Sequence, residues 1–181
     1  MTTEADEVDG TPSQQTPSQI GAAGRAEVVP PPRWSAVAAF VLSLAGLGVS
    51  IYLTIDHFAK IPPVCVANSV FNCEKVTTSA QSYFLGIPVA MLGLGFYVVM
   101  TAINLPMLQK ASDRRIHVAR LVLAGVGMIF VLYLISAELL IIGNICIWCT
   151  SVHVITFLIF ALTVTTVPKM LGWGTDQGGP I

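Results

Sequence analysis

Four cysteines stand in two close pairs, Cys65 and Cys73 in CVANSVFNC, and Cys146 and Cys149 in CIWC. Thiols can make, break and hand on covalent bonds by attack of a thiolate on a disulfide sulfur, through a mixed disulfide. Cys146 and Cys149 are spaced i, i+3, which on a helix is one face, so their sulfurs can close a tight disulfide. At a helix N-terminus the orphan N–H groups and the macrodipole favour a thiolate. In such motifs thiol pKa values fall from about 8.5 to roughly 3.5–7.5, which makes good nucleophiles and leaving groups. Taken alone, CIWC reads equally well as two small apolar core residues, and the loop pair reads as a structural clip. Two pairs together suggest a relay. The rival is a four-sulfur metal site, which calls for two short C-x2–4-C knuckles; CVANSVFNC fits that pattern poorly, and no metal is expected.

The elements that position these sulfurs follow from composition. Of the 181 residues 54% are hydrophobic and 10% charged, where soluble domains carry about 25% charge. The net charge of -1 excludes a strongly basic nucleic-acid binder. Residues 35–55 carry no charge, and comparable stretches cover about 86–108, 117–142 and 145–167. Each reaches the roughly 20 residues that a membrane-crossing helix needs, and each is continuously apolar rather than alternating. In lipid the backbone must satisfy itself, as a helix does. The expected fold is therefore an all-α integral membrane protein, a four-transmembrane-helix bundle with a cysteine-bearing extracytoplasmic loop. Residues 34–167 form its domain. Residues 1–33, rich in Pro, Ser, Thr and Gln and lacking aromatics, should be a disordered cytoplasmic segment. Residues 168–181 should be a short cytoplasmic tail. Acidic residues stand where a secretory signal would be basic, so no cleaved signal is expected and the first helix stays as an anchor.

With four spans, both termini share a side with the loop between the second and third. That side would hold Arg25, Arg33, Lys110, Arg114, Arg115, Arg120 and Lys169, against Lys60 and Lys75 on the other. The positive-inside rule then puts both termini in the cytoplasm of a plasma (inner) membrane protein. Two spans separate the cysteine pairs, so all four sulfurs face one compartment. An extracytoplasmic one is where disulfides persist.

A dithiol relay needs an electron sink. The sequence offers no GxGxxG nucleotide cradle, and haem is poorly served by His57 and His153. A lipid-soluble quinone can reach the end of a helix bundle laterally, beside Cys149; menaquinone or ubiquinone would serve. His153, one turn below Cys149, reads either as an interhelical hydrogen-bonding residue or as a partner of a quinone oxygen. Glu138 is expected to snorkel to the interface, and Asp56 and His57 to cap the first helix and meet water. Residues 82–85 read as a lid over the sulfurs or as an interfacial connector. Gly46, Gly48, Gly93, Gly95, Gly125 and Gly127 are expected to allow close helix approach.

Over about residues 35–167 these features resemble the vitamin K epoxide reductase family, specifically its bacterial single-domain members. The resemblance rests on the loop pair followed by Glu74-Lys75-Val76 and Ser79, on Gly86-Ile87-Pro88, and on CIWC opening the last span. It implies a DsbB-like thiol:quinone oxidoreductase that reoxidises a separate periplasmic, DsbA-like thioredoxin-fold protein. Electrons would enter at Cys65, paired with Cys73; Cys73 would attack Cys146, and the released Cys149 would reduce the quinone. Ser79 corresponds to a residue beside that quinone. His153 stands where vertebrate-type members have Tyr, which favours quinone over epoxide as substrate. The alternatives are a non-catalytic scaffold with structural disulfides, a metal- or haem-carrying electron carrier, or a vitamin K epoxide reductase in the narrower sense.

Overall fold

The computed structural model describes residues 31–65, 68, 70–109 and 113–171. Helix α1 (Arg33–Ala59) stops where Lys60 turns into the left-handed region at φ 55°. A loop leads to a short helix α2 (Cys73–Thr77) and a 3-10 turn (Ala80–Ser82). A hairpin of β1 (Tyr83–Phe84) and β2 (Ile87–Pro88) follows. Next come α3 (Val89–Ile103), the short α4 (Pro106–Gln109), α5 (Arg114–Ser136) with a π-helical turn (Ala137–Ile142), and α6 (Ile147–Met170).

The four long helices close a ring in which α1 packs on α3, α3 on α5, α5 on α6 and α6 on α1. Thr54 of α1 donates to the Ala90 carbonyl at 3.2 Å, while Asn104, just past α3, donates to Ser43 at 3.0 Å. The two helices are therefore antiparallel. The packing is inverted relative to a water-soluble bundle. Val41, Ile51, Val98, Val122, Ile129, Phe157 and Val164 face outward, while Ser43, Ser50, Asn104, Thr156 and Thr163 are buried. That is the arrangement of helices in lipid, where hydrogen bonds and small residues join the helices and apolar side chains meet the acyl chains. The molecule is an all-α membrane protein, with α1, α6 and α5 plus its π turn each long and apolar enough to cross a membrane.

Several boundaries differ from the expected ones, each for a local reason. Leu85 and Gly86 both have positive φ (52° and 83°) and form the two-residue hairpin turn, so α3 begins at Val89 rather than Gly86. It ends early as well, because the residue before Pro106 is pushed out of the helical region. Its 15 residues rise only about 22 Å, less than the hydrocarbon core of about 30 Å. The Asp113 side chain accepts from the Arg115 N–H at 2.9 Å and caps α5 ahead of the expected start. Arg120, counted above with the loop charges, consequently lies buried inside the bundle at 2% exposure. Arg33 opens α1 and the last helix runs on to Met170. The disorder expected for 1–33 falls, over residues 1–30, outside the described residues, as does the tail over 172–181; so do Arg25 and Lys110.

Of the six glycines expected to permit close approach, Gly46 and Gly127 do so. A Cβ on Gly46 would run into the Tyr97 ring, and one on Gly127 would meet the Phe96 ring at 2.6 Å. Gly48, Gly95 and Gly125 have open space around them and Gly93 only an ordinary contact with Ser50. The Tyr97 ring cannot retreat. It is fully buried, and its hydroxyl is tied to the Val152 carbonyl at 3.1 Å and to Thr156 Oγ1 at 2.8 Å. Gly46→Ala is expected to destabilise the bundle by about 1–3 kcal/mol, read as a lower thermal midpoint in detergent, whereas Gly48→Ala leaves the midpoint unchanged.

Candidate redox site

The loop after α1 would be free to wander but for three ties to the bundle. Asn68 Oδ1 accepts from the N–H groups of Val70 and Phe71 at 2.9 and 2.8 Å, which folds the loop tip into an Asx turn. The strand-like stretch after it docks on the turn between α5 and α6: Ile145 N–H donates to the Val70 carbonyl at 3.0 Å, and Asn72 N–H to the Ile145 carbonyl at 3.1 Å. This is a one-residue parallel bridge, Phe71 to Ile145. On the other side Trp148 Nε1–H donates to the Val64 carbonyl at 2.8 Å, and Val64 N–H donates to Tyr52 Oη at 2.9 Å. Cys65 and Cys73, one after the first clamp and one after the second, are thereby held against the start of α6.

All four cysteines fall in one cluster. Cys73, Val76 and Cys146 are buried together, with Cys65, Ile142, Trp148 and Cys149 packed around them. Cys65 and Cys73 form a disulfide with Cα atoms 6.1 Å apart, while Cys146 and Cys149 are free thiols. The loop pair is thus the one expected from the resemblance, and the CIWC pair is in its reduced form. Cys146 is the N-cap of α6: its sulfur accepts from the Cys149 N–H at 3.4 Å. Hydrogen bonds from the Cys149 thiol, above all, and from the Cys149 and Trp148 N–H groups lower the Cys146 pKa to about 7 against the opposing effect of burial.

Beside this cluster opens a cavity of about 450 Å³, within the range of sites for small organic molecules, roughly 300–1,000 Å³. Its walls are largely apolar, with Phe84, Phe96, Phe130, Val126 and Leu134 among them. Cys149, Ser79 and His153, expected near a quinone from the sequence, all line it. Ser79 Oγ donates its hydrogen to the Val76 carbonyl at 2.8 Å and keeps two lone pairs as acceptors. His57, half-exposed in the last turn of α1, also lines the cavity, and its Nε2 meets Tyr83 Oη at 3.2 Å. The 82–85 segment is half of a hairpin whose Phe84 stacks edge-on against Phe130, centroids 5.4 Å apart, and so closes one side of the cavity.

Glu138 departs most from expectation. It does not snorkel. It lies buried at 6% exposure, on the cavity wall, with the Cys149 thiol and the Cys146 N–H as hydrogen-bonding neighbours of its carboxyl. The sequence carried one signal for it, a lone acid inside an apolar run, which in a membrane segment marks a functional position more often than not.

A model of the vitamin K epoxide reductase family matches residues 37–164, a segment that holds every site residue named above. The chain belongs to the vitamin K epoxide reductase family. It is accordingly a membrane oxidoreductase, of a family whose redox chemistry joins disulfides to quinone-type carriers and thioredoxin-like partners. No curated protein matches the chain.

The low pKa of Cys146 has a measurable consequence. In reduced protein the ultraviolet thiolate absorbance should titrate with a midpoint near pH 7, Cys146 being protonated below it and charged above it. Cys149→Ala removes the largest lowering influence, so that midpoint should rise toward the ordinary thiol value of about 8.5.

Proposed function

We propose that this member of the family takes electrons from a thioredoxin-fold disulfide-forming protein on the extracytoplasmic side and passes them to a membrane quinone. The observation that carries the reading is the double position of the CIWC pair. Cys146 is packed against the loop disulfide, and Cys149, three residues on, lines an apolar cavity.

The sulfur chemistry is a series of exchanges. A thiolate of the reduced partner attacks Cys65 and expels Cys73 as a thiolate; the partner's second thiol resolves the mixed disulfide and leaves the partner oxidised. Cys73 then attacks Cys146 of an oxidised Cys146–Cys149 pair and expels Cys149. Attack of Cys65 on Cys73 restores the loop disulfide and frees Cys146. Each exchange conserves electrons within the chain, and the pair that entered at Cys65 ends on Cys146 and Cys149. The low pKa of Cys146 makes it a good leaving group and nucleophile. The cavity suits a quinone because its apolar walls take a ring and isoprenoid stem, while Ser79 and His153 offer polar contacts to ring oxygens. A quinone bound there would supply a two-electron, two-proton acceptor.

The same reading has the chain cross the membrane four times. The hairpin at one end of α3 and α4 at the other make up the length that α3 lacks. Lys60 and Lys75 lie at the cysteine end, and Arg33, Arg114, Arg115 and Lys169 at the opposite one, a bias that supports cytoplasmic termini.

Anaerobic mixing of the purified chain with a reduced thioredoxin-fold protein and ubiquinone or menaquinone, following quinol formation, tests the proposal. Cys146→Ala and Cys149→Ala are expected to abolish turnover, and Cys65→Ala to block the protein substrate while sparing reduction by a small dithiol. Normal turnover in the Cys149→Ala protein would overturn it.

A further inference from the structure

Closing the Cys146–Cys149 disulfide releases two protons as well as two electrons, and the proton on Cys149 has to leave inside an apolar environment. Glu138 is the one carboxylate lining the cavity among the described residues. It lies seven residues after buried Val131, on the inward face of α5, and in the π-helical turn that follows (Ala137–Ile142) Ala137 and Glu138 stay inside while Leu139, Leu140 and Ile141 face out. Such turns are rare and recur at functional sites. The hydrogen-bonding neighbours of this buried carboxyl are the two thiol-bearing residues, the Cys149 thiol and the Cys146 N–H.

The surroundings add a second observation. A smaller cavity of about 340 Å³ lies on the other side of the α5–α6 seam, reaching Ile145 and Thr150 at the cysteine end. Glu138 and His153 are the titratable residues lining both cavities. The other titratable groups facing this region are Cys146 and Cys149 of α6 and, across the larger cavity, His57 of α1 and Tyr97 of α3. The carboxyl and the reacting sulfur of Cys149 therefore share the lining of the larger cavity, which His153 lines as well.

We propose that Glu138 is the proton acceptor of Cys149. The inference rests on the quinone reading above. As Cys146 Sγ bonds to Cys149 Sγ, the carboxylate takes the Cys149 proton and the electron pair passes to the quinone. The quinone gains two electrons and two protons, matching the two protons given up by the two thiols. The carboxyl would hand on its share to a ring oxygen of a quinone bound in the cavity.

The test uses the full chain in detergent, as native protein, Glu138→Gln and Glu138→Asp. Infrared difference spectra between the oxidised and reduced Cys146–Cys149 pair, with no quinone present, should show a protonated-carboxyl C=O stretch that changes with redox state. That signal should vanish in Glu138→Gln and survive in Glu138→Asp. Quinol formation should slow about 100-fold or more in Glu138→Gln, with Glu138→Asp closer to native, and exchange at Cys65–Cys73 with the reduced partner should be unchanged in all three. A carboxyl signal that persists in Glu138→Gln, or quinol formation within about a factor of two of native, overturns the assignment. Should Glu138→Gln lose the Cys65–Cys73 exchange, and with it the native fold, Glu138→Asp decides by its signal: present supports the assignment, absent overturns it. If the native chain forms no quinol while the signal behaves as expected, the quinone reading fails and the proton exchange between Glu138 and Cys149 stands.

Discussion

Two backbone hydrogen bonds, from Ile145 to Val70 and from Asn72 to Ile145, hold the redox site together. They act together with the clamp of Trp148 and Tyr52 on Val64, because the apolar side chains of the loop, Ile61, Val64, Val70 and Phe71, stay exposed rather than docking on the bundle. Main-chain pairing supplies what packing cannot. It fixes a register between the loop and the α5–α6 turn, and α2, capped by the Asn72 side chain at 3.0 Å, then starts at Cys73 directly over Cys146. The bonds are few and lie at the rim of the bundle, in the class of interactions that open at a small fraction of the global unfolding free energy. The site is therefore assembled by a part of the molecule that can let go without unfolding the helices.

The helices beneath supply rigidity. Lipid offers no hydrophobic force to press them together, so the ring is closed by polar side chains and by close approach at small residues. Tyr97 shows how these work together. Gly46 makes room for its ring, Val152 and Thr156 fix its hydroxyl, and Phe96 packs edge-on beside it at 5.2 Å before forming the cavity wall. The shape of the cavity is thus coupled to the packing of α1, α3 and α6. At the opposite end Asn104 and Gln109 lace α1 to the α3–α4 junction, with Gln109 donating to the Ala36 and Asn104 carbonyls at 3.0 and 2.6 Å.

Much of this was legible in the sequence, for reasons that can be named. Continuous apolar runs identify helices in lipid, and the parity of spans between two cysteine pairs puts both at the same end whatever the packing. Helical spacing alone sets His153 below Cys149, and the family resemblance supplied Ser79 and the Cys65–Cys73 pairing. The tie that joins loop to turn was not legible, since a one-residue bridge between Phe71 and Ile145 leaves no periodic trace. Glu138 lies on the inward face that helical spacing from Gly127 and Val131 gives, but its place one turn from the end of the helix pointed to a side chain that reaches the interface. The ends of α3 were missed for a different reason: Leu85-Gly86 and Pro106 do mark them, but the surrounding apolarity masks such punctuation. Glycines in lipid-facing positions such as Gly48 and Gly125 look no different in sequence from Gly46, and only a partner ring separates them.

The cap of α6 has a consequence for how the molecule moves during its chemistry. The sulfur of Cys146 terminates the helix, accepting the Cys149 N–H in place of a Ser or Asp oxygen. As a thiolate it sets a full negative charge against the positive end of the helix dipole. Once bonded to another sulfur it carries no charge, and the first turn of the helix loses its electrostatic anchor. Trp148 stands in that same first turn, and its indole clamps Val64 beside the loop disulfide, so one turn of helix ties the two pairs of sulfurs together.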